Sequence, residues 1–253
     1  MRLPFYRFLG SRRKITDCFG RSDSGRIRKN NEDSFALLPD RGFFLVADGM
    51  GGHNAGEVAS RMAIEKAVSL CNPKSFTKRR GNKAAMQHFL IDVFEQVNRK
   101  VIKASEASAD QRGMGTTLTL AYLEGSVMHC CHVGDSRCYL LRDEDLMQIT
   151  TDHVADFSTD TAFGGVEGTK CNAVTRIIGY PFPEDPEYHA VELVSGDKIL
   201  LCSDGLWSML SDTEITRIIG EEKDAERCCD RLIEQANEAG GRDNITAILV
   251  LIS

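Results

Sequence analysis

Apolar and polar positions alternate along this chain in short runs cut by glycine, aspartate and serine. "DSFALLPD", "GFFLVADG", "GTTLTLAYLEG", "SVMHCCHVGD", "SRCYLLRD", "DKILLCSDG" and "NITAILVLIS" are rich in β-branched and aromatic residues and bounded by turn formers, so each predicts a strand. Between them the period changes. Over Ala84 to Ala107, the apolar residues Met86, Phe89, Val93, Val97 and Val101 recur every three or four positions, which predicts a long helix; Gly56 to Leu70 predicts another. Two more helices close the chain. "SDTEITRIIG" places Glu214 three residues after Ser211, the pattern of a reciprocal cap, and "AERCCDRLIEQANEAGG" runs out into two glycines suited to a helix stop. Hairpin-linked strands with helices in pairs at both ends of the sequence predict an α+β fold of antiparallel sheets covered by helices, rather than a βαβ alternation.

Length and composition narrow the function classes. With 253 residues, 42% of them apolar, and no Pro/Gly/Ser-rich linker, the chain is read as one domain over 15–253 behind a short basic-aromatic tail, 1–14. The tail, "MRLPFYRFLGSRRK", lacks the apolar core of a signal peptide and reads as a solvated terminus. A net charge of -6 argues against nucleic acid as a partner, because phosphate backbones are held mainly by Lys and Arg. Nine cysteines, an odd number, sit inside apolar runs or as adjacent pairs, which fits a reducing, cytoplasmic setting. No apolar stretch approaches the roughly 18 residues of a membrane span. Two segments read as loops: the basic "NPKSFTKRRGNK" (72–83), taken as a solvated turn, and the weakly patterned 152–172, long enough to suggest a functional segment.

The candidate chemistry lies where strands end. "FFLVADG" ends on Asp48, "HCCHVGDSR" contains Asp135, "ILLCSDG" ends on Asp204, and "GGRDNIT" puts Asp243 just before the last strand. One "DG" after a strand is an ordinary turn. Four acids delivered by separate strand ends can converge on one rim, where their charges repel unless cations neutralise them; an oxygen-only ligand set points to magnesium or manganese. "SGRIRKNNEDSF" adds Arg28 four residues before Glu32, with Asp33 beside it. Near such a cluster, an Arg fork suits two oxygens of a phosphate.

These stretches, together with "LVADGMGGHNAGEVAS", "GMGTTLTLAYL", "ITTDH", "NAVTRIIG" and "LLCSDGLWSML", resemble in order and spacing the type 2C metal-dependent serine/threonine protein phosphatases in their compact bacterial form, from about Thr16 to Ile252. The resemblance implies a four-layer sandwich, two antiparallel β-sheets flanked by pairs of helices, with a dinuclear metal cleft at one edge. It implies that Asp48 bridges two Mn2+ or Mg2+ ions, with Glu32 and the Gly49 carbonyl on one side and Asp204 and Asp243 on the other. Asp33 stands behind them. Asp135 corresponds to the acid that shares a third, weaker metal with Asp204, and Arg28 to the phosphate-binding arginine. The implied reaction is hydrolysis of phosphoserine and phosphothreonine in proteins by metal-activated water, without a phosphoenzyme, by a monomer opposing a serine/threonine kinase. Two departures stand out. Met50 occupies the position of a histidine in the family's eukaryotic branch, which leaves the acid for the leaving oxygen unassigned, with His53 read as structural. The 152–172 segment, in the place of the family's flap, matches no flap pattern.

Three rival readings are weaker. Cys131 and Arg137 have the spacing of a cysteine-phosphatase loop, but Asp135 inside it would repel a phosphate and the residues pattern as a strand. The same alternation denies "HCCH" a common zinc ion, since adjacent strand residues point to opposite faces. A catalytically inactive phosphoprotein-binding regulator on the same fold would be expected to lack a ligand, yet each carboxylate position is filled. A hydrolase of small phosphoesters shares the chemistry and is separable only by substrate.

Overall fold

The computed structural model describes residues 15–52, 55–72, 76, 79–158 and 170–253, without the side chains of 156–158 and 170–173. The tail 1–14, His53, and the inner parts of the 72–83 and 152–172 segments lie outside the described residues. The strands begin with β1 (Ile15–Asp23), β2 (Asp33–Leu38) and β3 (Phe43–Met50), followed by β4 (Gly115–Thr116), β5 (Leu118–Glu124), β6 (Val127–Val133), β7 (Arg137–Arg142) and β8 (Asp145–Gln148). Then come β9 (Val154–Ser158), β10 (Lys170–Val174), β11 (Glu187–Glu192), β12 (Lys198–Cys202) and β13 (Ile245–Ile252). The helices are α1 (Ala55–Leu70), α2 (Lys83–Ala107), the single turn α3 (Asp204–Trp207), α4 (Asp212–Glu221) and α5 (Ala225–Glu238).

Strand pairing builds two antiparallel sheets, one in the order β1-β13-β12-β7-β8 and one in the order β11-β6-β5-β3-β2, with β4 added to β3. Side-chain alternation explains how they stack. Along β3, Phe43, Leu45 and Ala47 face a core shared with α1 and α2, while Phe44 and Val46 face the core between the sheets. Along β13, Ile245, Ala247 and Leu249 face α4 and α5, while Ile248 and Val250 face the inter-sheet core. Each central strand is therefore apolar on both faces, as a strand buried between layers must be. The result is four layers, with a helix pair outside each sheet, as the resemblance implies.

Local signals account for the helix ends. In α4 the Ser211 hydroxyl accepts from the Glu214 amide while the Glu214 carboxylate accepts from the Ser211 amide at 2.8 Å, the reciprocal cap expected from sequence. Asn82 caps α2 by accepting from the Ala85 amide at 3.0 Å. Of the strands that the hydrophobic pattern misses, β1, β8 and β11 lie at the edges of the two large sheets, where half-exposed faces carry polar residues. One expectation needs correction: the 152–172 segment is not a loop at its ends, because β9 and β10 pair antiparallel there.

Among the described residues no helix is long and apolar enough to cross a membrane. The layered packing yields a stability test. Phe44, fully buried between the sheets, should cost about 3–5 kcal/mol on replacement by Ala. Ile27, 68% exposed, should cost under about 0.5 kcal/mol. Urea unfolding midpoints at constant m-value check both; equal costs would contradict the assignment of layers.

Candidate functional site

The acids named from the sequence reach one end of the sandwich by different routes. Asp33 and Asp48 are cross-strand partners at the open end of the β2–β3 pair. Asp135 lies in the turn between β6 and β7, Asp204 opens α3 directly after β12, and Asp243 stands two residues before β13. Each sheet contributes, so the cluster spans the seam between them. Burial, followed by the charges of Asp33, Asp204, Asp135 and Asp243, pushes the Asp48 carboxyl well above its usual range. Burial, with Asp204 and Asp243 adding to it, raises Asp33 to about 7. Asp135 also rises to about 7, through burial and then the charges of Asp204 and Asp152. Asp204 and Glu32 are shifted upward, each with burial as the largest cause.

Backbone contacts hold the cluster in place. The Thr117 hydroxyl accepts from the Asp48 amide at 2.9 Å, and the Asp48 carbonyl accepts from the Thr117 amide and the Thr116 hydroxyl, each at 2.8 Å. The Gly49 amide donates to the Glu32 carbonyl at 3.2 Å. A Cβ on Gly49 would stand 2.1 Å from the Gly56 carbonyl oxygen, and one on Gly56 would stand 2.4 Å from Glu32 Oε2. This pair of glycines lets the start of α1 press against the strand end and the Glu32 carboxylate lie over it. Across the seam, Ser203 and Thr246 donate to Asp33 Oδ2 at 2.7 and 2.6 Å. Arg28, on the irregular loop between β1 and β2, donates to Asp243 Oδ2 at 2.6 Å, with its side chain 54% exposed.

The residues fit divalent cations. Asp33 Oδ1 and Asp204 Oδ1 are buried with no hydrogen-bond partner, a costly state for carboxylate oxygens that a cation would relieve. The donors are all oxygen, the set preferred by magnesium and manganese. Among the described residues, no three of these acids place oxygens mutually within 4.8 Å.

One trio does meet that distance: His132, His153 and Glu187. Its hydrogen bonds argue against a metal. The Gly134 carbonyl faces His132 Nε2 at 3.0 Å, so that neutral ring carries its proton on Nε2, while the Gly134 amide donates to His153 Nδ1 at 3.1 Å and the Arg176 guanidinium, a cation, lies 3.4 Å from His153 Nε2. Burial holds His132 down to about 3 and lowers His153 as well. Glu187 accepts from the Thr151 amide and hydroxyl, both at 2.9 Å, and pairs with His189 Nε2 at 2.8 Å. The trio braces the root of the β9–β10 hairpin.

The thiol reading fails on burial and direction. Cys130 faces the inter-sheet core and Cys131 the opposite core, and burial pushes the Cys131 thiol far above its ordinary value. Arg137 is occupied elsewhere. It grips Asp152 through Nε and Nη2 at 2.9 and 2.7 Å and lies 3.7 Å from the Trp207 ring, whose Nε1 donates to the Asp135 carbonyl at 3.0 Å. Sequence reading missed Thr116, Thr117, Ser203, Thr246 and the Arg137–Trp207 stack. "GTT", "GDSR" and "DGLW" were visible, but nothing in their spacing assigns those contacts.

Comparisons with known proteins agree on one family. The pattern of protein phosphatase 2C matches residues 11–245. A serine/threonine phosphatase stp of Listeria monocytogenes is 34% identical over 241 residues, 91% of this chain and 93% of that protein. The serine/threonine phosphatase of S. agalactiae superposes with a TM-score of 0.82 at 30% identity, covering 94% of this chain and 99% of that one. The catalytic domain of serine threonine protein phosphatase PstP, solved in complex with 2 manganese ions, superposes with a TM-score of 0.77 at 34% identity, covering 93% and 97%.

Two predictions follow from the crowded charges. Asp135 titrates near 7 folded against about 3.9 unfolded, so between those values the folded state binds more protons and metal-free stability falls as pH rises. In chelator, Asp135→Asn should therefore gain on wild type in melting temperature from about pH 4 to about pH 7; a pH-independent difference would contradict the burial of that charge. Asp204→Asn should melt no lower than wild type when metal-free and gain less from manganese, because a ligand that binds only the folded state stabilises by RT ln(1 + [L]/Kd). Equal manganese shifts in scanning fluorimetry would make Asp204 a turn residue.

Proposed function

The chain belongs to the protein phosphatase 2C family and is a metal-dependent protein serine/threonine phosphatase, and from that premise we propose which of its residues do the work. The observation that carries the assignment is the convergence of Glu32, Asp33, Asp48, Asp135, Asp204 and Asp243 from both sheets, with two buried carboxylate oxygens left without partners. Glu32 and the Gly49 carbonyl would hold one ion, Asp204 and Asp243 the other, and Asp48 both. Asp135 and Asp204 would hold a third, weaker one. Manganese or magnesium, when bound, neutralises the carboxylates and acts as a Lewis acid that makes water nucleophilic toward phosphorus. The two manganese ions in the PstP structure support that number of core ions.

The chain's own residues bind and orient. Arg28 turns its planar fork to the phosphate oxygens, using the donors left beside its single bond to Asp243. Asp33, fixed by Ser203 and Thr246, supports Asp48 from the neighbouring strand. Thr116 and Thr117 fix the Asp48 peptide, so the carboxylate departs little from its place when charge develops. Met50 is a half-buried thioether with no proton to give, so the leaving oxygen draws its proton from another source.

We further propose that residues 15–253 form the single catalytic domain behind the basic tail, that the protein acts as a monomer on phosphorylated proteins, and that it opposes a serine/threonine kinase. The eight cysteines whose side chains are described are all free thiols, which supports a reducing, cytoplasmic setting. The test is hydrolysis of a phosphothreonine peptide beside free phosphometabolites, with manganese and with chelator. The peptide should be preferred, and chelator should abolish turnover. Cys131→Ser should keep activity within about twofold; a loss beyond about a hundredfold with the fold intact would favour a thiolate mechanism. Preference for the free metabolites would make the protein a small-phosphoester hydrolase.

A further inference from the structure

Arg28 sits on a stretch, Ser24 to Glu32, that is neither strand nor helix, and its neighbour Ile27 is 68% exposed. Apolar packing therefore does little to place this loop. Polar contacts to the segment just before β13 do so instead. The Arg26 amide donates to the Gly241 carbonyl at 2.8 Å. Gly25, at φ +75, would bring a Cβ within 2.2 Å of the Asp243 carbonyl, so the loop lies directly on that backbone. The densest set of contacts belongs to Asn244. Its Nδ2 donates to the Ser24 carbonyl at 3.0 Å and to the Asn30 carbonyl at 2.8 Å, and its Oδ1 accepts from the Glu32 amide at 2.7 Å. Its own amide donates to Asp243 Oδ1 at 2.8 Å. The side chain is buried.

We propose that Asn244 is the positioning residue that holds Arg28 in register with the phosphate: its carboxamide ties both ends of the Arg28 loop to the residue next to Asp243. The inference rests on Arg28 being the phosphate grip. Only a carboxamide supplies two donors for two carbonyls and an acceptor for an amide from one planar group. Aspartate has the same shape but would set oxygen against the Ser24 and Asn30 carbonyls, and alanine would remove all three of these bonds to the loop backbone at once. Loosening the loop leaves the guanidinium attached but averages its fork over many orientations, which weakens phosphate binding more than the chemical step.

A double-mutant cycle with Arg28→Ala tests this in the manganese-loaded protein. Asn244→Ala should raise KM for a phosphothreonine peptide roughly tenfold, with kcat changed less than about threefold, and should weaken inorganic phosphate binding by calorimetry in parallel. In the Arg28→Ala background it should add less than about twofold to either quantity, because the group it positions is gone. Effects that multiply in the double mutant overturn the proposal. So does a loss of kcat and of manganese affinity at unchanged KM, which would mean that Asn244 acts through Asp243. Should Asn244→Ala not fold, Asn244→Asp goes through the same cycle; if both unfold while Arg28→Ala folds, Asn244 is structural and the proposal falls. An Arg28→Ala protein with unchanged KM and phosphate affinity would instead remove the reading of Arg28 itself.

Discussion

Mutual repulsion among carboxylates gathered at the seam of two sheets is the constraint on which this structure turns. Asp33, Asp48, Asp135 and Asp204 are each pushed upward in pKa by burial, and neighbouring acids add to it. Left to themselves such groups would move apart or take up water. They cannot, because three of the four approach from strand ends or directly continue a strand, and those strands are packed on both faces. Phe44 and Val46 lock β3 on one side while Phe43, Leu45 and Ala47 lock it on the other. The apolar layers thus supply the free energy that keeps the charges close, and the crowding favours whatever neutralises it, proton or cation.

Hydroxyls and amides carry out the finer alignment. Ser203 and Thr246, from β12's end and β13, reach Asp33 on β2, so the two sheets are joined by hydrogen bonds at the point where their acids meet. Thr116 and Thr117 do the same for the Asp48 peptide. These bonds matter because a displacement of the order of 1 Å in a catalytic group is enough to slow a reaction substantially. The apolar layers set the approximate distance between the sheets. The polar clasps then fix their relative shift.

Much of this was legible in the sequence, and the boundary has a physical cause. Central strands buried on both faces announce themselves as short apolar runs, and Asp48, Asp135 and Asp204 stand out because each follows such a run next to glycine. The Ser211–Glu214 cap was legible for the same reason, since both partners lie within one helical turn. Edge strands such as β11, "EYHAVE", blur into their polar surroundings. The clasps were illegible because they link residues far apart in the chain: Thr246 and Asp33 are 213 positions apart, and Asn244 and Ser24 are 220 apart. No spacing rule reaches that far. His132, His153 and Glu187 show the converse, since proximity alone suggests a metal and their hydrogen-bond partners, with the Arg176 cation beside His153, argue against it.

The two kinds of ligand in the site are carried by two kinds of backbone, and their tasks differ accordingly. Metal ions need fixed oxygens, and the carboxylates proposed to hold them stand mostly at strand ends. A phosphate group arrives, reacts and departs in each cycle, and the group proposed to grip it, Arg28, comes from a loop that is half exposed and held by polar bonds. Strong pinning of that loop would preorganise the fork but slow release of the product, an anion with the same oxygens as the substrate. Hydrogen bonds of ordinary strength to one buried carboxamide meet both requirements, because they define the resting orientation of the loop while leaving its surface free of apolar packing.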